Sequence, residues 1–180
     1  MTEFETFAVE LAHEAARVTL PFFRGDYAED DKGAGPGGRF DPVTDADRDA
    51  EAAMRRLIAA RYPDHGVVGE EYGEDRPEAE HVWVLDPVDG TRAFIAGLPL
   101  WTTLIGLRWH GRPVLGSIGQ PYLGEIFIGH AGGSRVITPH GERPLKVRPC
   151  PLLTDAIIAT TDPELCFDGP EVGAWHQVRA

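Results

Sequence analysis

Two carboxylates stand three residues apart at the end of a short apolar run. Val82–Leu85 is unbroken in its apolar character, which favours a strand buried on both faces, and Asp86, Pro87, Val88 and Asp89 follow it. Asp86 is therefore expected at the carboxyl end of a buried strand, with both acids directed into one small space. Oxygen ligands of this kind suit a divalent cation. An isolated Asp-Gly dipeptide is also typical of a simple turn, so this stretch alone leaves both interpretations open.

A short helix is predicted directly after the second acid. Gly90 permits a tight turn, and residues 91–96 have the pattern of a helix that ends at Gly97. The N–H groups at the start of a helix lack intrahelical partners and carry partial positive charge, so they favour an anion. Two acids beside such a site would repel the anion. A divalent cation resolves this conflict, because it neutralises the carboxylates and bridges them to a phosphate oxygen.

A second predicted helix supplies another candidate acid. Thr44 is placed to cap its first turn, Asp47 stands at the third helical position, and apolar residues recur as far as Ile58. Helix capping alone explains both Thr44 and Asp47. Asp47 has a second candidate role, which is to accept a hydrogen bond from a hydroxyl such as that of Thr91.

Paired acids follow a third apolar segment. Residues 66–69 predict a short strand that ends in Glu70 and Glu71. Adjacent residues on an extended strand point to opposite sides, so these two acids should differ in role. One is expected to bind a cation, and the other is expected to hold the cation ligands in place without binding the cation.

The segments around these acids predict a helix and two loops. Residues 4–18 have the spacing of an amphipathic helix. Residues 25–41 are rich in glycine and aspartate, which predicts a long mobile loop, and Lys32 on this loop could contact a phosphate as a point charge. Residues 72–80 are charged, which predicts a solvated loop.

The whole pattern predicts an α+β fold of layered helices and a mixed or antiparallel sheet. Four segments separated by Gly and Pro turns predict an antiparallel meander: residues 101–109, 112–120, 125–130 and 134–138. A new buried strand is predicted at 156–161 and a helix from 168. We therefore expect an N-terminal domain over residues 1–150 and the start of an incomplete second α/β domain over residues 151–180.

Composition limits the expected partners and compartment. The chain has 180 residues, 42% of them hydrophobic, and a formal net charge of −12. Residues 1–90 carry 22 acids and 9 bases, a balance that argues against nucleic acid as a partner, because binding its phosphates demands a basic face. No apolar run reaches the roughly 20 residues needed to span a bilayer. Cys150 and Cys166 show neither disulfide nor metal spacing, which favours free thiols and a cytoplasmic location.

Three segments in order, residues 41–47, 69–71 and 83–94, resemble the inositol monophosphatase family of magnesium-dependent, lithium-sensitive phosphatases. They are Asp-Pro-Val-Thr-Asp-Ala-Asp, Gly-Glu-Glu and Trp-Val-Leu-Asp-Pro-Val-Asp-Gly-Thr-Arg-Ala-Phe. The resemblance runs from the first helix to about Thr161. Within the family, residues 86–101 look most like the bacterial histidinol-phosphatase branch.

The resemblance implies a ligand set. Glu70, Asp86 and the main-chain carbonyl of Val88 would hold one Mg²⁺, and Asp86 with Asp89 would hold a second. Glu71 would support these ligands without binding metal. The complete site of the family holds two or three Mg²⁺ ions, for which Mn²⁺ could substitute.

The resemblance also implies how phosphate and water are handled. Asp89 and the main-chain amides of Gly90 and Thr91 would meet the phosphate. Thr91, oriented by Asp47, would act with Glu70 to position a water for in-line attack on phosphorus.

The implied function is hydrolysis of a small phosphorylated metabolite by a homodimer, most like the conversion of histidinol phosphate to histidinol in histidine biosynthesis. Inositol 1-monophosphate and 3′-phosphoadenosine 5′-phosphate are rival substrates, since the matching segments handle only metal and phosphate. Family members continue into a second domain whose Trp-Asp pair completes the second metal site, and the sequence has no counterpart of it. An inactive metal-binding or oligomer-forming fragment is therefore the alternative of a different class.

Overall fold

An eight-stranded mixed sheet with two long helices forms the body of the protein. The computed structural model describes residues 2–25, 29–31, 42–159 and 169–178. The helices are α1 (Glu3–Thr19), α2 (Asp45–Arg61), α3 (Thr91–Ile95) and α4 (Pro170–Val178), with one 3₁₀ turn at Leu153–Asp155. The strands are β1 (Glu29–Asp31), β2 (Pro42–Thr44), β3 (Gly66–Gly69), β4 (Gly73–Asp75), β5 (His81–Asp89), β6 (Thr102–Trp109), β7 (Arg112–Gln120), β8 (Glu125–His130), β9 (Gly133–Thr138) and β10 (Gly141–Pro144).

Both long helices begin at a capping box and bury one apolar face. In α1 the Glu5 amide donates to the Thr2 hydroxyl, and in α2 Thr44 and Asp47 form the same reciprocal arrangement. The buried residues of α1 recur at i, i+3, i+4 and i+7 spacing, as the sequence predicted, and they pack against the sheet. The main core combines α1, α2 and one face of the sheet: Phe7, Ala8, Leu11, Ala12, Ala15, Ala50, Met54, Ile58, Val67, Trp83, Leu85, Ile105, Leu107, Leu115, Ile126 and Ile128.

The sheet has the order β10-β9-β8-β7-β6-β5-β3-β4. Strands β5 to β10 form an antiparallel meander, which confirms the four predicted strands and adds β10 at the edge. β3 runs parallel to β5, and β4 pairs antiparallel with β3. The α+β fold with a mixed sheet is therefore confirmed, and β5 lies in the interior of the sheet between β3 and β6.

Three local predictions were wrong. Residues 29–31, expected in a loop, pair with residues 42–44 as a two-stranded sheet, while residues 32–41 lie outside the described part. Residues 73–75 are exposed as expected, yet they form the edge strand β4. Residues 156–159, expected in a buried strand, have no strand structure, and Ile157 is 84% exposed. An apolar segment becomes a buried strand only when another strand pairs with it, and no described strand does so here.

The chain divides into two compact units at Leu145, slightly before the predicted boundary at residue 150. The first unit holds the sheet, α1, α2, α3 and both apolar cores. The second unit includes the 3₁₀ turn and α4, whose start was predicted from the Gly-Pro-Glu sequence. Cys150, predicted as a free thiol, is free and exposed. None of the described helices is both long and apolar enough to cross a membrane.

Candidate metal and phosphate site

The parallel pairing of β3 and β5 brings two of the predicted acids together. Gly69 at the end of β3 is paired with Leu85 of β5, so the next residues, Glu70 in the turn after β3 and Asp86 within β5, lie side by side. The carboxyl ends of parallel strands meet at one edge of a sheet. The structure therefore places Glu70 and Asp86 near the same end of the two strands. Asp86 was expected to be the last residue of its strand, but β5 continues past it to Asp89.

A bulge in β5 separates the two acids of the central motif. Asp86 is paired with Leu104 and Asp89 with Thr102, so two residues of β5 stand opposite the single residue Thr103. Pro87 has no N–H to give to the ladder, which explains why the irregularity falls there. The buried Thr103 hydroxyl donates to the Pro87 carbonyl at 2.8 Å and so satisfies an oxygen that the ladder would leave unpaired.

The middle of the motif is anchored in a second apolar cluster. The Val88 side chain is 1% exposed and packs with Phe23, Ala46, Phe94 and Trp101. This cluster joins β5 to the first turn of α2 and to α3. The main chain at Val88 is therefore held from three elements, which fixes the position of its carbonyl oxygen.

Glycine is required at position 90, because of both the backbone conformation and the close surroundings there. Its φ is +91°, in the left-handed region, and a Cβ atom there would lie 2.9 Å from the Leu100 carbonyl oxygen. α3 begins immediately afterwards. The amides of Gly90 and Thr91 thus lie at the start of α3, directly after Asp89, and their contact with a phosphate stays a prediction.

Asp86 is strongly perturbed by its surroundings. Burial, followed by the negative charges of Glu70 and Asp89, a hydrogen bond shared with Glu70 and the charge of Asp47, raises the pKa of Asp86 to about 7. Among the described residues that line a largely apolar groove of about 620 Å³ along β5 to β9, it is the only acid. These surroundings therefore disfavour the ionised form of Asp86 unless a positive charge binds nearby.

The donor set at this edge fits a hard divalent cation. The Asp86 Oδ1 atom is buried and accepts no hydrogen bond in the described part of the chain. A buried carboxylate oxygen without a donor is costly, and a cation would satisfy it. Asp89 is exposed, and its Oδ2 atom accepts a long 3.4 Å hydrogen bond from the Thr102 hydroxyl.

The acids are near one another but do not form a ready-made metal centre. Within the described ranges, no group of three or more His, Cys, Asp or Glu side chains is arranged to hold a metal ion. Like charges repel, so a positive charge, either the proton shared by Asp86 and Glu70 or a bound cation, is needed for Glu70, Asp86 and Asp89 to converge.

Asp47 and Thr91 have other hydrogen-bond partners than the predicted one. Asp47 is 4% exposed and accepts from the Thr44 amide at 2.9 Å and from the Thr44 hydroxyl. The Thr91 hydroxyl donates to the Val88 carbonyl at 3.1 Å. The pairing of Asp47 with Thr91 stays a prediction. Lys32, the candidate loop contact, lies outside the described residues.

Glu70 and Glu71 lie in a turn after β3 instead of on the strand itself. Glu70 is exposed and Glu71 is half-buried, so the two side chains differ in environment, although alternation along a strand is not the reason. The turn is held by Glu51, a carboxylate that the sequence interpretation missed. The available signal was its position on α2, four residues after Asp47 and three before Met54, which puts it on the buried face.

Known proteins provide an independent comparison. A model of the inositol monophosphatase family matches residues 1–164. The chloroplastic bifunctional phosphatase IMPL2 of Arabidopsis thaliana is 40% identical over 99% of this chain and 50% of its own length. A histidinol-phosphatase of Chlorobaculum parvum is 33% identical over 99% of this chain and 66% of its own length. The chain thus spans about half to two thirds of the length of these relatives.

Solved structures agree with the sequence comparison. An inositol monophosphatase from Zymomonas mobilis superposes with a TM-score of 0.78 and 36% identity, over 99% of this chain and 67% of that one. An inositol monophosphatase from Anabaena superposes with a TM-score of 0.67 and 29% identity, over 84% of this chain and 53% of that one. By its sequence match and its fold, this chain belongs to the inositol monophosphatase family.

Proposed function

We propose that this protein hydrolyses a small phosphomonoester with the help of bound Mg²⁺. The observation that carries the proposal is the buried Asp86 oxygen without a hydrogen-bond donor, at an edge where Glu70 and Asp89 add further negative charge. A cation bound there would balance these charges and satisfy the buried oxygen. Family membership supports phosphate transfer to water as the reaction.

The proposed ligands divide between two positions. Glu70, Asp86 and the Val88 carbonyl would hold one Mg²⁺, and Asp86 with Asp89 would hold a second, while Glu71 supports the turn. All of these donors are oxygen atoms, which Mg²⁺ and Mn²⁺ accept. When bound, such ions supply charge neutralisation for the phosphate and a lowered pKa for an attacking water.

The chain's own groups would orient the substrate. The main-chain amides of Gly90 and Thr91 are proposed to donate to phosphate oxygens, next to Asp89. Thr91 is proposed to turn its hydroxyl from Val88 towards Asp47 and so to orient the water, together with Glu70. The Thr44 cap holds Asp47 in place for that contact.

Histidinol phosphate is our first candidate substrate. The similarity to a histidinol-phosphatase and the pattern of residues 86–101 support it. Inositol 1-monophosphate and 3′-phosphoadenosine 5′-phosphate are the rival candidates, because the residues proposed here bind only metal and phosphate. A cytoplasmic homodimer is the proposed setting, as the two thiols and the family resemblance suggest.

Phosphate release from these three substrates tests the proposal. The purified chain is assayed with each at equal concentration, with Mg²⁺ and after chelation by EDTA. We expect Mg²⁺-dependent release that is greatest from histidinol phosphate. A preference for inositol phosphate would overturn the substrate assignment, and release that EDTA does not affect would overturn the role of the cation.

A binding module without catalysis is the second candidate. It is favoured because the residues proposed here supply only Asp86 and Asp89 to the second Mg²⁺, whereas the family resemblance implies a further carboxylate ligand at that position. Cation binding without phosphate release from any substrate is the result that this alternative predicts.

A further inference from the structure

We propose that Glu51 is a positioning residue that holds the turn carrying Glu70 in place for cation binding. This inference rests on the proposed function, since it concerns the position of one proposed ligand. Glu51 lies on α2 and its side chain is 0% exposed. A fully buried carboxylate needs several donors to remain stable, and Glu51 has them.

The main chain of the turn supplies two of these donors. Glu51 Oε2 accepts the Glu71 amide at 2.7 Å, and Oε1 accepts the Tyr72 amide at 3.2 Å. These amides follow Glu70 directly. One side chain of α2 therefore fixes the peptide units immediately after the proposed ligand.

Arg55 supplies the third donor and the opposite charge. Its Nε atom lies 2.7 Å from Glu51 Oε1, and its side chain is 19% exposed. The same guanidinium also donates to the Gly73 carbonyl, at the far end of the turn. The Glu51–Arg55 pair therefore forms hydrogen bonds with the main chain of the turn at Glu71, Tyr72 and Gly73.

Gly69 shows how closely the Glu51 carboxylate approaches the near end of the turn. A Cβ atom at position 69 would overlap with the Glu51 carboxylate, whose own movement is restricted by three hydrogen bonds. Gly69 is also the residue paired with Leu85, which sets Glu70 beside Asp86. The contact thus determines where Glu70 stands relative to Asp86.

Only a carboxylate can accept all the hydrogen bonds at this position, and an amide of the same shape is expected to lose at least one of them. Both Glu51 oxygens accept hydrogen bonds, from Glu71 on one side and from Tyr72 and Arg55 on the other. In Glu51→Gln, either orientation of the amide turns an NH₂ group against at least one of these donors. Substitution of a residue that positions a metal ligand commonly lowers the affinity for the metal by about 10- to 100-fold.

Calorimetric titration of Mn²⁺ and Mg²⁺ into the 180-residue chain tests this role, together with hydrogen exchange at the Glu71 and Tyr72 amides. We expect Glu51→Gln to weaken cation binding at least about tenfold and to speed exchange at both amides. The matched control is Glu5→Gln, which removes another buried carboxylate paired with an arginine, Arg135 at 2.6 Å, far along the sheet from this turn. The control should lose stability and keep its cation affinity within about twofold.

Equal affinity in the wild type and Glu51→Gln, or an equal loss in Glu5→Gln, would overturn the inference. If Glu51→Gln does not fold, Arg55→Gln takes its place and should weaken binding severalfold, and unchanged affinity there would also overturn the inference. A wild-type chain that binds no cation is a distinct result, because it overturns the proposed function and, with it, the inference that rests on that function.

Discussion

Asp86 carries a cost in the metal-free protein. Its Oδ1 atom is buried without a donor, and the charges of Glu70 and Asp89 act on it. Proteins commonly retain such strain where function requires it. The same residue is therefore expected to weaken the fold and to bind the cation.

The substitution Asp86→Asn separates these two effects. We expect it to raise the free energy of unfolding of the metal-free chain by about 1 kcal/mol, because an amide removes one negative charge and can donate to Glu70. Thermal unfolding in EDTA measures the change. The exposed Glu78→Gln serves as control and should leave the melting temperature unchanged. A metal-free Asp86→Asn protein less stable than the wild type would contradict this account of the site.

Gly90 permits a second prediction with a matched partner elsewhere in the chain. Gly111 has a φ of +75° with nothing within 4 Å of an added Cβ atom, whereas a Cβ on Gly90 would lie 2.9 Å from the Leu100 carbonyl oxygen. Gly111→Ala should cost about 1 kcal/mol of stability from left-handed strain alone. Gly90→Ala should cost about 2–4 kcal/mol, because a steric clash is added. Equal losses in urea denaturation would show that the close approach at Gly90 is unimportant.

Among the elements, α1 is tied to the sheet by a buried charge as well as by apolar packing. Glu5 is 2% exposed and contacts Arg135 of β9 at 2.6 Å. A hydrogen bond from the Thr2 amide, acting against burial and aided by Arg135, lowers the pKa of Glu5 to about 2. The folded state therefore favours the ionised carboxylate over the protonated one.

Acid titration tests this link between α1 and β9. Because the folded pKa of Glu5 is lower than the unfolded value of 4.5, its contribution is fully present above about pH 4.5 and is lost as the pH falls towards 2. Glu5→Gln should reduce the free energy of unfolding by about 2 kcal/mol at pH 7, and the difference from the wild type should shrink below pH 4.5. Glu10→Gln, which removes a half-exposed acid 3.2 Å from Arg61, should change stability little at any pH. A pH-independent difference for Glu5→Gln would contradict the assignment.

The elements differ in how far the sequence could predict them. Long elements with a clear period, α1, α2 and the meander, were predicted because burial of one face leaves a repeat in the sequence. The strands β1, β4 and β10 have three or four residues each, too few for a repeat to show. Residues 156–159 are mostly apolar, but no described strand pairs with them. The composition of a segment does not show whether another strand pairs with it.

The same distinction applies to the site. Asp86, Asp89 and Gly90 could be selected as candidates from the sequence, because the apolar run, the spacing of the acids and the turn glycine lie in one continuous segment. Glu51 was missed although its position on α2 gave a signal, because a glutamate in a helix usually faces solvent. Its role also depends on Arg55 and on a turn 20 residues away along the chain, which the sequence pattern does not show. The proximity of Glu70 to Asp86 is a consequence of strand register, which only the folded sheet defines.

For the molecule as a whole, the candidate site belongs to the first compact unit. Its acids, both apolar clusters and the bulge in β5 all precede Leu145. No described residue after Leu145 is buried. The first unit therefore holds all the groups proposed for the first Mg²⁺, and cation binding by this chain is the central claim of the proposed function.

Isothermal titration of Mg²⁺ and Mn²⁺ into the 180-residue chain, compared with Asp86→Asn, tests that claim most directly. We predict saturable binding by the wild type and at least about a tenfold loss of affinity in Asp86→Asn, because the ligand proposed to be shared by both ions loses its charge. Glu78→Gln should bind as the wild type does. No binding by the wild type, or equal binding by Asp86→Asn, would contradict the proposed role of Asp86 as the shared cation ligand.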